Sequence, residues 1–168
     1  GNRLNQLKDA RNSVLDVIAL TTARACRLVW MEDNLTIKEF VDMETPIRKL
    51  EQKQKEALIF LGKVGVGIAP EQLLKGQFQQ YNGIFLLLDE EDEYDGKVIH
   101  LQEAPCVTVR FRGSHKEAPV QYEKLMDYIQ EHNLKVAGFS REITMIDYGL
   151  TNDTEKFVTE ISIPVKAF

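Results

Sequence analysis

Apolar and polar positions change period several times along this chain, and each change marks an element. Residues 3–32 contain neither glycine nor proline and carry an apolar stripe at heptad spacing, through Leu4, Leu7, Arg11, Val14, Ile18, Thr21, Ala25 and Leu28. This pattern predicts one long helix whose seam is imperfect, because Arg11 and Thr21 interrupt it. Such a helix lies on its own domain or pairs with a second copy, and dimerisation is the preferred reading. The stripe starts directly after Gly1, so a fragment of a longer chain is expected.

Residues 36–41 fit strand or helix, and 45–51 alternate as a strand opening at Pro46. Residues 53–61 read as a short helix stopped by Gly62. The strand at 64–68 contains glycines that allow close backbone approach or a bulge. Residues 70–80 connect it to a buried strand at 84–88, and the acidic run 89–96 reads as a solvated hairpin loop before a strand at 97–102. Read as a calcium loop from Glu91, that run places Glu93, Asp95 and Gly96 at suitable offsets. Gln102 then stands where a bidentate glutamate is required, and the loop reading wins.

The second half is clearer. Val107, Val109 and Phe111 alternate with Thr108, Arg110 and Arg112 on a strand. Ser114 and Glu117 have capping-box spacing and Pro119 suits a first helical position, so a helix starts between 115 and 119. Tyr122, Leu125, Met126 and Ile129 form its apolar stripe, and Asn133 and Gly138 mark its exit. Strands at 138–148 and 156–165 follow, joined by a polar turn at 150–154. The expected fold is α+β, a duplicated strand–helix–strand–strand antiparallel sheet with a central groove behind a long N-terminal helix. The expected division is a helix over 1–34 and a domain over 35–168, with repeats at 35–104 and 105–168.

Composition narrows the classes. Hydrophobic residues make up 43% of the 168, enough for a real core, and the formal net charge of -5 opposes a nucleic-acid surface. No apolar run approaches the roughly 20 residues of a membrane span, and no signal peptide is visible. Cys26 and Cys106 do not read as a disulfide framework, which favours a reducing, cytoplasmic setting. His100, His115 and His132 lack metal-ligand spacing, and no cofactor motif is present.

Glu142 is the anomaly. It sits in an apolar strand, where a carboxylate is costly to bury without compensation. Alternation places Phe139, Arg141, Ile143 and Met145 on one face and Ser140, Glu142, Thr144, Ile146 and Tyr148 on the other. The helix is expected to cover the first face, leaving Glu142 to look away beside Arg110 and Glu160. A structural bridge to Arg110 is then one explanation. The other is a binding site in which Tyr81, Phe85, Tyr148 and Phe157 line a groove beside Glu142. Aromatic faces and one carboxylate suit a lipophilic cation.

The runs 109–119, 122–129, 138–142 and 158–165 together resemble the GyrI-like effector-binding domains, and within them the C-terminal part of a multidrug-responsive MerR-type transcription regulator. The likeness is strongest over 97–168 and weaker over 45–96. It implies a ligand-sensing module, not an enzyme, that takes lipophilic cationic drugs or dyes in a central groove. It implies a homodimer joined through the N-terminal helix, with DNA contacted only by a winged-helix domain absent from this sequence. It makes Glu142 the buried acid and Glu155 a second acid, with Phe157 and Tyr81 as pocket walls. Phe157 lacks the usual tyrosine hydroxyl, and Ala118 replaces a tyrosine found in one branch. The alternative is a GyrI-like hydrolase of cyclopropane-bearing genotoxins, with Glu142 as base assisted by Glu155 or Tyr148. A third reading is a protein-binding module acting on a partner such as a gyrase.

Overall fold

The computed structural model describes residues 14–36, 63–146 and 157–168. Its strands are β1 (Ala19–Ala23), β2 (Cys26–Thr36), β3 (Val64–Gly67), β4 (Gln80–Leu88), β5 (Ile99–Leu101), β6 (Ala104–Arg112), β7 (Leu134–Val136), β8 (Arg141–Ile146) and β9 (Phe157–Ala167). Two helices, α1 (Pro70–Leu74) and α2 (Ala118–Glu131), interrupt them, and a 3-10 turn at His115–Glu117 leads into α2. Each described strand pair is antiparallel, in the order β1-β6-β9-β8-β3-β4-β2-β5, with β7 added to the end of β9.

That order contains the same arrangement twice. In the second half, β6 pairs with β9 and β9 with β8; in the first, β2 pairs with β4 and β4 with β3. The halves meet at one seam, where β3 and β8 pair Gly65 with Ile143 and Val66 with Glu142. The first strand of the first half is β2, within the stretch whose heptad stripe predicts helix.

The long helix is therefore corrected over its described part, where residues 19–23 and 26–36 are strands, and its first residues lie outside the described ones. The chain carries β-branched residues here, including Thr21, Thr22 and Val29, and β2 finds an apolar partner in β4, which pairs Leu28 with Leu87 and Val29 with Leu86. Absence of glycine and proline permits a helix without requiring one, and tertiary pairing overrides that weak preference. Asp16 also adopts a left-handed φ of 62° and donates its backbone N–H to the Arg110 carbonyl, a conformation no continuous helix contains.

The acidic run 89–96 is likewise not a hairpin loop, because β2 lies between β4 and β5 and the run crosses over it. Arg27 of β2 donates to the carbonyls of Asp89, Glu90 and Asp92, and Lys63 pairs with Asp89. The strand expected at 45–51, the helix at 53–61 and the turn at 150–154 lie outside the described residues, as do Tyr148 and Glu155.

The main core lies between α2 and one face of the sheet. Tyr122, Leu125 and Ile129 of α2 pack with Val107, Val109, Phe111, Ile161 and Ile163, while Val66, Ile68, Leu73 and Ile84 extend the same cluster across the seam.

Candidate functional site

Register places Glu142 in the middle of this apolar layer. The cross-strand row runs Ile84, Val66, Glu142, Ile161, Val109 through β4, β3, β8, β9 and β6. Residues paired across a ladder share a face, so Glu142 is the single acid in a row of aliphatic residues. It is fully buried. The expectation that α2 covers the opposite face is thus reversed. Tyr122 of α2 reaches the same face as Glu142, with its hydroxyl 2.9 Å from Ser140 Oγ. Counting apolar residues on β8 alone misleads, because its neighbours supply the apolar character of the Glu142 face.

Arg110 also lies on the other face. It pairs with Glu160 through Nε–Oε2 at 2.5 Å, and Glu160 is the ladder partner of both Arg110 and Ile143. Among the described residues, no arginine or lysine pairs with Glu142. Its Oε2 instead accepts a hydrogen bond from the Tyr81 hydroxyl at 2.5 Å and meets His115 Nδ1. Its Oε1 has no hydrogen-bond partner among the described residues. An unsatisfied buried oxygen of this kind costs about 1–3 kcal/mol.

The fold fixes His115 through the turn that carries it. Gly113, with φ of 129°, turns the chain out of β6, and a Cβ there would crowd the Glu117 carboxylate. Ser114 and Glu117 then close a capping box around the 3-10 turn. His115 is buried and reaches across to β8, its ring edge-on to Tyr81 with centroids 6.1 Å apart.

A chain of hydroxyls continues from its far nitrogen. His115 Nε2 lies 3.1 Å from Thr144 Oγ1, which lies 2.7 Å from Thr159 Oγ1, and Thr159 donates to the Gly113 carbonyl at 2.7 Å. A hydroxyl has one proton to donate. Thr159 spends its proton on Gly113, so Thr144 donates to Thr159 and His115 Nε2 donates to Thr144. The tautomer follows from the network: Nε2 carries hydrogen.

The tyrosines respond to their surroundings. Burial, reinforced by the Glu142 charge, holds the Tyr81 phenol well above its ordinary pKa of 10.0. Burial raises Tyr122 above 10.0 in the same way, with Glu142 adding to the rise and the Ser140 hydrogen bond opposing it.

Of the expected site residues, Glu142 and Tyr81 are in direct contact. Phe157 opposes Ile146 at the start of β9, on the Glu142 face by alternation and next to Thr159 along that face. Phe85 is separated from them. It is fully buried on the opposite face, opposite Gly65 and stacked on Trp30 with centroids 6.4 Å apart. Sequence reasoning noted His115 only as one of three scattered histidines. The capping box around it was visible, but its contact with β8 depends on register that alternation alone does not give. A separate groove of about 740 Å³ lies between α1, α2 and β7, lined by Leu73, Phe78, Met126, Ile129, Leu134 and Phe168 among others.

The GyrI-like small molecule binding domain matches residues 26–166, and the chain belongs to that family. The match begins at the first residue of β2. No curated protein matches the chain significantly. Among solved structures, EcmrR in its complex with DNA is 16% identical with a TM-score of 0.62, covering 99% of this chain and 65% of that one. This chain thus spans slightly less than two thirds of that protein. SAV2435 bound to tetraphenylphosphonium is 18% identical with a TM-score of 0.52, covering 89% and 94% of the two chains. A hydrolase encoded by lin2189 of Listeria innocua is 12% identical with a TM-score of 0.57, covering 97% and 98%. At these identities the likeness is one of fold.

Proposed function

We propose that this chain is the ligand-sensing domain of a MerR-type transcription regulator and binds lipophilic cations against Glu142. The observation that carries the reading is a fully buried carboxylate with no lysine or arginine partner among the described residues and with one oxygen unsatisfied. A ligand cation would supply the missing charge, and Tyr81 and Phe157 would contribute aromatic surface on the same face of the sheet. Glu155 belongs to the proposed site by family resemblance and Tyr148 by strand alternation, whereas Phe85 has no place on that face. Because Glu142 and Tyr81 are fully buried, a ligand reaches the carboxylate only through local opening, which ties binding to a change of conformation. The fold shared with SAV2435 and EcmrR supports the reading, since the first carries tetraphenylphosphonium and the second DNA. DNA contact and dimer formation would be tasks of the whole regulator.

Titration with tetraphenylphosphonium tests the site. Glu142→Gln is expected to weaken binding about 100-fold, equivalent to about 2.7 kcal/mol. Equal affinities for the variant and the original protein would remove Glu142 from the site.

The His115–Glu142 contact favours one second reading, a hydrolase in which an imidazole-backed carboxylate accepts a proton from water. Product analysis after incubation with a cyclopropane-bearing electrophile separates the two.

A further inference from the structure

We infer that His115 and Glu142 share one proton that neutralises the empty site, and that a ligand cation binds there by expelling it. This rests on the cation-binding reading above and assigns His115 as the residue that sets affinity there.

The proton count follows from the hydrogen bonds. The Thr144–Thr159–Gly113 chain fixes hydrogen on His115 Nε2. Nδ1 faces Glu142 Oε2 across a hydrogen-bonding contact, which needs one proton between them. Whether that proton resides on nitrogen, giving imidazolium and carboxylate, or on oxygen, giving two neutral groups, the pair has no net charge. The other donor to Oε2 is the Tyr81 hydroxyl. Glu142 therefore presents no bare counter-charge while the pair holds its proton.

Among the described residues, the other titratable groups facing Glu142 are two phenols. Tyr81 comes from β4 and Tyr122 from α2, and both phenols are held above the ordinary value of 10.0. β3 and β9 contribute Val66, Ile161 and Thr159, β8 contributes Thr144, and Ser140 stands just before β8. A cation placed against this carboxylate would face the imidazolium as a like charge in a poorly solvated site. Loss of one proton removes that repulsion and leaves neutral imidazole beside an ion-paired carboxylate.

The test uses tetraphenylphosphonium, whose fixed charge does not titrate, so any proton change belongs to the protein. Calorimetric titration in two buffers of different ionisation enthalpy is expected to show release of about one proton per ligand. The dissociation constant should then fall about tenfold per unit rise in pH wherever the pair holds its proton. In His115→Gln the imidazole that shares the proton is gone, so the pH dependence of binding should differ from that of the original protein. Binding without proton release in the original protein overturns the inference and leaves the cation site standing. Superimposable pH profiles for the two proteins also overturn it. Absence of binding at every pH overturns both readings. The buffer comparison needs no variant, so the question stays decidable if His115→Gln does not fold.

Discussion

The two faces of the sheet at the β3–β8 seam solve the same packing problem in opposite ways. On one face, α2 and its preceding turn lower polar groups onto the sheet, and Glu142, Tyr81, His115, Ser140 and Tyr122 hydrogen-bond among aliphatic neighbours. On the other, aromatic rings lie directly on glycines. The Phe85 ring covers Gly65 and the Trp30 ring covers Gly83 so closely that a Cβ at either would overlap a ring, while a Cβ at Gly67 would lie 3.1 Å from the Trp30 ring and overlap the Ser140 carbonyl oxygen. Phe139 packs at a tilt of 37° against Trp30 with centroids 4.4 Å apart. The aromatic face relies on shape, whereas the polar face depends on protons and leaves one oxygen unsatisfied among the described residues. Such unfinished satisfaction inside a core marks a place where stability has been exchanged for something else.

The sharpest way to break this contrast is to empty the aromatic face. Phe85→Ala removes a fully buried ring that nothing else can replace above Gly65, and should cost about 3–5 kcal/mol in urea unfolding. Its effect should not vary with pH, since no titratable group is lost. A fixed loss smaller than about 1 kcal/mol would show that this face is not close-packed.

The polar face should show itself in alkali instead. Tyr81 and Tyr122 have phenols raised above 10.0 in the folded protein. Below pH 10 both states keep these protons, and the full stabilisation is present. As pH rises further the unfolded chain releases them first, so stability falls by about 1.4 kcal/mol per pH unit for each tyrosine. Unfolding free energies measured from about pH 9 to about pH 11 should show that slope, and the double variant Tyr81→Phe, Tyr122→Phe should flatten it.

The smallest effect separates two glutamates on adjacent strands. Glu160 and Arg110 form a pair whose side chains are each 25% exposed. Glu160→Gln should cost less than about 1 kcal/mol and leave tetraphenylphosphonium affinity unchanged. A loss of affinity comparable with that of Glu142→Gln would mean that the two carboxylates act as one site.

The part of the fold written locally was legible. The alternation of Val107, Val109 and Phe111, the Ser114–Glu117 box and the Tyr122–Ile129 stripe predict β6, the turn and α2 closely. What failed was information held in partners. Residues 19–36 satisfy a helical pattern as sequence, and become strands because β4 and β6 offer edges to pair with. Glu142 was recognisable as an acid in an apolar strand, but its orientation depended on which neighbours flank β8. Alternation within each strand makes Arg110 its natural partner, yet one residue of register moves Arg110 to the far face. His115 was seen only as a scattered histidine because it touches Glu142 from 27 residues away.

The hydroxyl chain behind His115 has a consequence for time as well as for charge. Its Nε2 hydrogen is donated into Thr144, which leans on Thr159 and through it on Gly113. A hydrogen held in that way exchanges with water when the surrounding structure opens, at a rate set by the opening and not by imidazole chemistry. The event that frees this hydrogen disturbs the same layer a ligand must part to reach Glu142. The histidine is thus a clock within the domain, and its exchange counts how often the empty site opens.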